Sequence, residues 1–278
     1  MTESGHLLVN GIPTDQVPLS DRGLQYGDGL FETIAVIDSK PRAWHRHMVR
    51  LARGESALGI PETDKEQLYS EALSLSHGLL NGVLKIIVTR GSGGRGYRPP
   101  EVCKPRRILS LHNWPDYPDH WFTEGVQLRV CETRWSRNSR LSGLKHLNRL
   151  EQVLARQEWQ DPEIAEGLML DEAGSVISAT QSNLFAVVDG ELVTPDLSQS
   201  GIAGVMRELV IECAGKLGIP VRIAAIDVEG LKQADALFLT NSIMGICPVA
   251  ALSDHRFKDH KPAAKLRHEI IEAIAGSA

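Results

Sequence analysis

Apolar positions recur along this chain with two different spacings, which together predict a mixture of strands and helices. Short apolar runs closed by Gly, Asp or Asn are typical of strands. Such runs cover residues 7–10, 17–19, 30–37, 82–90, 107–112, 126–134, 165–170, 176–178, 183–188, 220–226, 236–240 and 247–252. Apolar residues three and four apart are typical of helices and cover residues 45–58, 63–80, 148–160, 201–217, 228–233 and 262–275. The second helix is expected to begin at Thr63, because Thr63 and Glu66 match the capping-box pattern.

These elements together predict an α/β (mixed α+β) fold. A chain of 278 residues is long enough for one or two domains. Residues 113–120 are the best linker candidate, because Pro115 and Pro118 stiffen an irregular segment. A division at this segment would give a smaller N-terminal α/β domain at residues 1–112 and a larger C-terminal α/β domain at residues 121–278.

Composition narrows the classes of partner. Apolar residues make up 42% of the chain and charged residues 23%, which are ordinary values for a globular protein. The formal net charge is −5, so no general affinity for nucleic acid or anionic membranes is implied. Residues 134–149 do form a basic stretch with one tryptophan, but no RNA-binding signature accompanies it. We expect a small-molecule ligand, no nucleic acid and no membrane.

Cysteine and histidine usage indicates a reducing compartment and no metal site. The four cysteines are scattered and contain no C-x-x-C pair, which argues against a zinc or disulfide framework. The histidines show no metal-ligand spacing. The N-terminus lacks a basic-then-apolar leader and the chain lacks a run of 18 apolar residues. We expect a soluble cytoplasmic protein.

One lysine, Lys145, stands in a leucine-rich segment with leucines at positions 141, 144, 147 and 150. Apolar surroundings in general disfavour the charged form of an amine, and a neutral amine is the nucleophile that forms a Schiff base. The alternative is a surface lysine whose stem lies along apolar surface. The segment alone leaves both interpretations open.

Lys85 interrupts the apolar run at residues 82–90. Because charged side chains are rarely buried without a partner, a lysine in such a run lies at a sheet edge or faces a wet site. Both interpretations remain open from the sequence.

Residues 90–100 form a loop rich in glycine and arginine. The loop matches G-x-G-x-x-G, but Pro99 and Pro100 prevent the helix that a dinucleotide-binding fingerprint must open. One interpretation is a mobile glycine loop. The other is a carboxylate-binding loop, because arginine presents a bidentate fork; its candidates are Arg90, Arg95, Tyr97 and Arg98.

Residues 201–208 lead into a helix through two glycines. A glycine-flanked helix start offers unpaired backbone N–H groups and the positive end of the helix dipole. The pattern predicts a phosphate site.

The ordered motifs resemble the fold-type IV pyridoxal-phosphate enzymes, which include branched-chain and D-amino-acid aminotransferases and aminodeoxychorismate lyases. The resemblance runs from about residue 8 to residue 252, and its motifs are Gly27-Asp-Gly-Leu-Phe-Glu-Thr33, His47-x-x-Arg50-Leu51, Lys145, Ser182-Asn-Leu-Phe185, Gly204-Val-Met-Arg207 and Thr240-Asn-Ser242. It implies pyridoxal 5'-phosphate as cofactor, a cofactor site in the cleft between two α/β domains, and a homodimer.

The resemblance also implies roles for individual residues. Lys145 would form the Schiff base and act as the catalytic residue. The remaining cofactor contacts would come from Arg50, Ser178, Val205, Met206 and Ser242. The substrate contacts would come from Phe31, Arg95, Tyr97, Arg149 and Asn241. Of these, Arg50, the backbone of Val205 and Met206, and the Ser242 hydroxyl would bind the phosphate.

Ser178 departs from the family pattern. The family carries Glu four residues before Ser-Asn-Leu-Phe, where it pairs with the pyridine nitrogen, and this chain carries Ser178 there. A hydroxyl cannot supply the compensating negative charge. The departure weakens the case for transamination more than for a lyase whose product is aromatic.

Two segments, residues 90–97 and residues 145–152, are similar to aminodeoxychorismate lyases. This similarity implies conversion of 4-amino-4-deoxychorismate to 4-aminobenzoate and pyruvate, a step toward folate. A D-amino-acid or branched-chain aminotransferase of the same fold is the alternative. A cofactor-binding protein without catalysis and a nucleic-acid-binding module are weaker alternatives.

Overall fold

The computed structural model describes residues 6–257, 261, 264–266, 268 and 272. The described chain forms two compact units. The first contains the chain up to Pro115 together with the segment Leu144–Asn148, and the second contains Asp116–Gly143 and the chain from Arg149 onwards. The boundaries expected from the sequence separate two domains that fold independently. Independent folding is not tested by this division into units, so those boundaries stay a prediction.

The first unit is built on a six-stranded antiparallel sheet with the order β2-β1-β6-β5-β3-β4. Its elements are β1 (Leu7–Val9), β2 (Ile12–Pro13), α1 (Arg22–Tyr26), β3 (Gly29–Ile37), β4 (Lys40–Pro41), α2 (Trp44–Leu58), α3 (Lys65–Ser76), β5 (Asn81–Thr89) and β6 (Arg106–His112). The helices α2 and α3 pack against β3 and β6.

One face of this sheet carries the hydrophobic core. Side chains alternate between the faces of a strand, and Ile34, Leu84, Ile86 and Leu109 are fully buried in the cluster that also contains Leu51 of α2. The intervening residues of the same strands, among them Phe31, Thr33 and Lys85, therefore project from the other face. Those three side chains are only partly buried.

The second unit is built on a nine-stranded mixed sheet with the order β12-β11-β10-β13-β14-β7-β8-β9, to which β15 adds by pairing with β14. Its elements are α4 (His120–Thr123), β7 (Val126–Val130), α5 (Leu150–Gln157), β8 (Ile164–Leu170), β9 (Val176–Ala179), β10 (Asn183–Val188), β11 (Glu191–Pro195), α6 (Val205–Lys216), β12 (Val221–Ala224), α7 (Val228–Lys232), β13 (Ala236–Asn241), β14 (Gly245–Leu252) and β15 (His255–Arg256). The helix α6 packs against β13 and β12. The two sheets confirm the mixed α/β fold.

Two local expectations are wrong. Residues 17–19 form no strand, because the N–H of Asp21 turns back to the Pro18 carbonyl and the Asp21 side chain then caps α1. The helix α3 is capped by Asp64, whose carboxylate accepts from the N–H groups of Glu66 and Gln67. The expected cap, Thr63, instead uses its hydroxyl on Glu55.

Several predicted elements are shorter than expected, and for two of them, β7 and α5, the structure shows the reason. The strand β7 ends at Val130, because the Glu158 carboxylate accepts the N–H groups of Glu132 and Thr133 and removes them from the ladder. The helix α5 begins only at Leu150, since the preceding residues pair with β3. The helix predicted at residues 262–275 lies largely outside the described residues.

Within the described part of the chain, no helix is both long and apolar enough to cross a bilayer. The four cysteines are free thiols. Among the same residues, no cluster of three or more His, Cys, Asp or Glu side chains is arranged to hold a metal ion.

Candidate active site

Lys145 is held by main-chain hydrogen bonds on the start of β3. The Phe31 N–H donates to the Lys145 carbonyl at 2.9 Å, and the Leu147 N–H donates to the Gly29 carbonyl at 3.0 Å. These two bonds flank an isolated antiparallel bridge between Leu30 and His146. Lys145 is therefore opposite Phe31, and opposed residues project from the same face of a sheet.

This register places the side chain of Lys145 against the aromatic ring of Phe31. Its Nζ is 4.1 Å from the centroid of the Phe31 ring, a cation–π distance. A second amine, Lys85 Nζ, is 5.8 Å from the same centroid. Because β5 lies between β3 and β6, the edge-strand explanation for Lys85 is wrong.

Gly29 makes the close approach of the Lys145 segment possible. A Cβ atom at Gly29 would lie 2.5 Å from the Val88 carbonyl oxygen and 2.8 Å from Leu147 Cδ1. Neither the β5 backbone nor the Leu147 side chain has room for it. The second glycine of the Gly-Asp-Gly motif thus allows the Lys145 segment to pack closely against β3.

Glu32 organises a buried charged cluster on the helix-facing side of β3. It accepts a hydrogen bond from Arg50 Nε at 2.9 Å and a second from Arg50 Nη2, and it lies 2.7 Å from His47 Nδ1. Burial alone would raise the pKa of Glu32, but the charge and hydrogen bonds of Arg50, followed by His47, lower that pKa to about 2. Burial lowers the pKa of His47, so a neutral ring donating from Nδ1 fits this contact.

The aspartate of the Gly-Asp-Gly motif holds two arginines. Asp28 accepts from Arg22 Nε at 2.8 Å and from Arg90 Nε at 2.7 Å. Arg90 also donates to the carbonyls of Leu58 and Gly59 at the end of α2. Its donors serve the protein itself, so the expectation that Arg90 captures a substrate carboxylate is wrong.

Hydrogen bonds to its backbone hold the rest of the glycine-rich loop in place. Arg22 donates to the carbonyls of Gly96 and Tyr97 at 3.0 and 3.1 Å, and the Tyr26 hydroxyl accepts the Gly96 N–H. The side chains of Arg95 and Tyr97 are exposed, Tyr97 by 87%. The loop therefore presents a fixed backbone with an outward-pointing arginine and tyrosine.

In the second unit, the start of α6 has the form of an anion site. Its N-cap residue Gly204 provides no side-chain cap, so the first backbone N–H groups, from Val205 and Met206, have no partner on the cap side chain. A Cβ atom at Gly204 would lie 2.0 Å from Asn183 Oδ1. Glycine suits this position, and it leaves the first N–H groups of α6 without a side-chain cap.

The end of β13 offers further polar atoms to the same unit. The Thr240 hydroxyl is buried and has no hydrogen-bond partner among the described residues. Both polar ends of the Asn241 amide make hydrogen bonds, since its Nδ2 donates to the Ser182 hydroxyl and its Oδ1 accepts the N–H groups of Ile243 and Met244. It shapes the turn that presents Ser242, and a direct contact of Asn241 with substrate stays a prediction.

A buried carboxylate, Glu166, supports this turn. It accepts hydrogen bonds from Ser182 Oγ, Thr180 Oγ1 and the Gln181 N–H. Burial raises its pKa despite these donors. Sequence reasoning missed Glu166, because its partners follow it by 14 to 16 positions and lie on other parts of the chain.

Ser178, which replaces the expected glutamate, contacts Trp135. Its hydroxyl accepts from Trp135 Nε1 at 3.2 Å and donates to the Ala179 carbonyl at 2.8 Å. The guanidinium carbon of Arg149 lies 5.3 Å from the centroid of the Trp135 ring. Burial lowers the pKa of Arg149 to about 10, so its charge persists at neutral pH. Trp135 therefore joins two predicted site residues, and sequence reasoning missed it.

These observations group the predicted site residues by unit. In the first unit Phe31 and Lys145 are in contact, Arg50 is paired with Glu32 behind them, and Arg95 and Tyr97 project from the anchored loop. In the second unit Ser178 and Arg149 both contact Trp135, and Val205 and Met206 are the first residues of α6. The individual roles of these residues stay predictions.

The fold and these residues define the class of fold-type IV pyridoxal-phosphate enzymes. The model of the family "Amino-transferase class IV" matches residues 29–252, and the chain belongs to that family.

The most similar relatives include two lyases. The chain is 38% identical over 262 residues to the aminodeoxychorismate lyase of Vibrio harveyi, covering 94% of this chain and 97% of that one. It matches a crystal structure of 4-amino-4-deoxychorismate lyase from Pseudomonas aeruginosa with a TM-score of 0.92 and 47% identity, over 96% of this chain and 98% of that one. It is also 30% identical over 275 residues to a putative branched-chain-amino-acid aminotransferase of Methanocaldococcus jannaschii, over 96% of this chain and 94% of that one.

Proposed function

We propose that the protein is a pyridoxal-phosphate-dependent lyase that converts 4-amino-4-deoxychorismate to 4-aminobenzoate and pyruvate. The observation that carries this proposal is the 47% identity, across nearly all of both chains, to the lyase from Pseudomonas aeruginosa. The aminotransferase relative is less similar, at 30% identity.

The residues present fit the cofactor. Lys145 supplies an amine beside an aromatic ring, and the uncapped start of α6 supplies N–H donors for a phosphate. The buried Thr240 hydroxyl, without a partner among the described residues, supplies one more polar atom in the second unit. When bound, pyridoxal phosphate supplies a carbonyl that condenses with amines and a ring that withdraws electrons.

The catalytic role falls to Lys145. Its Nζ takes the proton from the ring carbon that carries the substrate amine, as a general base. The C–O bond to the enolpyruvyl group then breaks, the ring becomes aromatic, and the protonated Lys145 returns a proton to the leaving group. That proton makes pyruvate of the enolpyruvyl fragment.

The binding roles fall to the remaining residues. Arg50, the N–H groups of Val205 and Met206, and the Ser242 hydroxyl bind the cofactor phosphate, and Ser178 faces the cofactor ring. The proposed substrate contacts are Phe31, Arg95, Tyr97, Arg149 and Asn241. Arginines suit this substrate because it carries two carboxylates.

A cytoplasmic homodimer is part of the same proposal. The four free cysteines suit a reducing compartment. The exposed Arg95 and Tyr97 on an anchored loop suit a role at a second copy of the chain. Light scattering on the eluting protein measures the mass directly, and a monomer of 30.5 kDa at micromolar concentration would contradict the dimer.

The function is tested by incubating the purified protein with pyridoxal phosphate and 4-amino-4-deoxychorismate. Formation of 4-aminobenzoate and pyruvate in equal amounts is expected, and Lys145→Ala should abolish both. Borohydride reduction followed by peptide mapping should place the cofactor on Lys145. Labelling of Lys85 or another lysine would contradict the central assignment.

An aminotransferase is the second candidate, favoured by the relative from Methanocaldococcus jannaschii. It is separated from the lyase by supplying D-alanine or leucine with 2-oxoglutarate. Amino-group transfer faster than 4-aminobenzoate formation would replace the lyase assignment. Ser178 argues against this outcome, since its described partners are Trp135 and the Ala179 carbonyl rather than a negative charge.

A further inference from the structure

Arg22 contacts both ends of the glycine-rich loop at residues 91–97. Its backbone N–H donates to the Gly91 carbonyl at 2.9 Å, and its guanidinium donates to the carbonyls of Gly96 and Tyr97 at 3.0 and 3.1 Å. The Arg22 side chain is only 3% exposed. A single buried arginine therefore holds the backbone of the loop where it begins and where it ends.

A shared carboxylate fixes the orientation of this guanidinium. Asp28 Oδ2 accepts from Arg22 Nε at 2.8 Å and from Arg90 Nε at 2.7 Å. Arg90 in turn donates to the carbonyls of Leu58 and Gly59 at the end of α2. Charge-assisted hydrogen bonds are roughly twice as strong as neutral ones, so Asp28 connects the loop firmly to the end of α2.

Tyr26, a second residue of α1, contacts the same end of the loop. Its hydroxyl accepts the Gly96 N–H at 3.1 Å, and its ring centroid lies 5.6 Å from the centroid of the Tyr97 ring. The guanidinium carbon of Arg22 lies 4.8 Å from the centroid of the Tyr26 ring. Residues four apart lie on the same face of a helix, so one face of α1 contacts the loop.

Two glycines of the loop allow this close contact. A Cβ atom at Gly93 would lie 2.9 Å from Arg22 Cδ, and Gly96 has a φ of 89°, which other residues rarely adopt. The glycines therefore let the loop pack around Arg22. Their number is explained by this packing and does not by itself indicate a mobile loop.

We propose that Arg22, together with Tyr26, is a positioning residue for substrate binding. It holds the backbone of residues 96 and 97 before substrate arrives, so that Arg95 and Tyr97 are presented from a fixed main chain. The inference rests on the proposed function and deepens it, because it adds a buried residue that acts through two proposed substrate contacts. A loop that is already ordered loses less conformational freedom on binding, which strengthens affinity.

Limited trypsin digestion of the holoenzyme tests the anchoring. Trypsin cleaves after arginine, and the bond after Arg95 leads to Gly96, whose N–H and carbonyl are both held by α1. The cleavage rate follows the population of the open loop. Arg22→Lys keeps a charge beside Asp28 but loses the fork that reaches two carbonyls. Losing one hydrogen bond from a charged donor should make cleavage at this bond about 10- to 150-fold faster.

Steady-state kinetics with 4-amino-4-deoxychorismate test the role in binding. Apparent affinity falls with the fraction of molecules in the binding-competent conformation, so Arg22→Lys should raise KM on the order of tenfold. The value of kcat should stay nearly unchanged, as for any loss of uniform binding, and the absorbance of bound cofactor should not change. A merely structural role would instead lower kcat or cofactor occupancy and leave KM in place.

Two further variants complete the test. Tyr26→Phe removes only the hydroxyl that accepts the Gly96 N–H, so it should accelerate cleavage about 2- to 10-fold and raise KM in the same direction. It decides the question if Arg22→Lys does not fold, since unchanged cleavage and KM would then overturn the proposal. Arg107→Lys is the matched control, because that arginine pairs with Glu71 of α3, and it should change neither quantity.

The outcomes separate this inference from the proposed function. Unchanged cleavage in Arg22→Lys overturns the anchor, and faster cleavage with an unchanged KM overturns its role in substrate binding. Both results leave the lyase assignment intact. A wild type that forms no 4-aminobenzoate overturns the proposed function and, with it, the positioning role, while the cleavage rates still report whether α1 holds the loop.

Discussion

Glu32 is a buried, ionised carboxylate of the first unit. It is 1% exposed and holds both His47 and Arg50. Removing its charge leaves a buried guanidinium without its carboxylate, which is costly. Glu32 thus fixes the position of the arginine that we assign to the cofactor phosphate.

The pH dependence of stability should reveal this role. The pKa of Glu32 falls from 4.5 to about 2 on folding, so its contribution is fully present above pH 4.5 and is lost as the pH falls toward 2. At neutral pH Glu32→Gln should lower the free energy of unfolding by about 3 kcal/mol, because one pKa unit corresponds to about 1.36 kcal/mol. Urea unfolding across this pH range measures it.

The difference between the wild type and Glu32→Gln should shrink between pH 4.5 and about 2. The exposed Glu62 supplies the control, since Glu62→Gln should show no such pH-dependent difference. A difference for Glu32→Gln that stays constant across the range would mean that the carboxylate is not ionised in the folded protein.

We expect Ser178 to influence the balance between lyase and aminotransferase chemistry. A glutamate here would supply the negative charge that keeps an adjacent pyridine nitrogen protonated, and transamination relies on that proton more than elimination to an aromatic product does. Ser178→Glu should therefore raise the ratio of transamination to 4-aminobenzoate formation on the order of tenfold, or about 1.4 kcal/mol of barrier. Both rates are measured in both proteins with the same cofactor loading.

Ser178→Ala is the matched control for that experiment. It removes the acceptor for Trp135 Nε1 without adding a charge, so it should not raise the ratio. An equal rise in both variants would assign the effect to loss of the hydroxyl rather than to charge.

At the residue scale, the sequence carries a signal where an unusual residue interrupts a local pattern. Lys145 stands alone among leucines, and Lys85 interrupts an apolar run, so both were visible as exceptions to a pattern. Trp135 and Glu166 were not, because their contacts with Ser178 and Ser182 join distant positions. No spacing rule reports such contacts.

At the scale of elements, the start of α6 combines two constraints. Its glycine N-cap leaves the first N–H groups without a side-chain acceptor, and Asn183 fills the space where a Cβ would lie. The sequence predicted this helix start from its two flanking glycines. The sequence did not reveal why the second glycine, Gly204, is needed, which is that Asn183 lies where its Cβ would be.

Gly204→Ala should weaken cofactor binding about tenfold, because Asn183 or the loop must shift and the N–H groups lose their alignment. A tenfold loss of affinity corresponds to about 1.4 kcal/mol of binding free energy, as expected for the loss of one hydrogen bond to the ligand. Absorbance titration with pyridoxal phosphate measures the affinity. Pyridoxal, which lacks the phosphate, should bind both proteins equally.

Gly215→Ala is the control within the same helix. A Cβ at Gly215 meets nothing within 4 Å, so cofactor affinity should not change and the helix should gain stability. If Gly204→Ala and Gly215→Ala bind pyridoxal phosphate alike, the start of α6 is not the phosphate site.

The predicted element boundaries were wrong where a side chain forms hydrogen bonds at the end of a strand or helix. The strand β7 stops where Glu158 accepts two N–H groups, and α3 starts at Asp64 because Thr63 is used by Glu55. These partners come from other elements. Periodicity reports which residues prefer a strand or helix, but not which side chains compete for its ends.

At the scale of the whole molecule, the sequence predicted the class of fold but not the order of the strands. The first sheet places β6 between β1 and β5, and the second places β13 between β10 and β14. Apolar runs identify strands without specifying neighbours, so these orders came only from the structure. The position of the cofactor between two domains stays a prediction.

The main-chain hydrogen bonds between the Lys145 segment and β3 restrict insertions and deletions in that segment. Irregular segments usually accept insertions and deletions, and Leu144–Asn148 contains no named helix or strand. Here a gain or loss of one residue between Gly143 and Lys145 would turn the lysine to the opposite face, as any one-residue slip does, or break both bonds to β3. Homologues and engineered variants that keep the reactive lysine should therefore keep the length of this segment, whatever residues fill it.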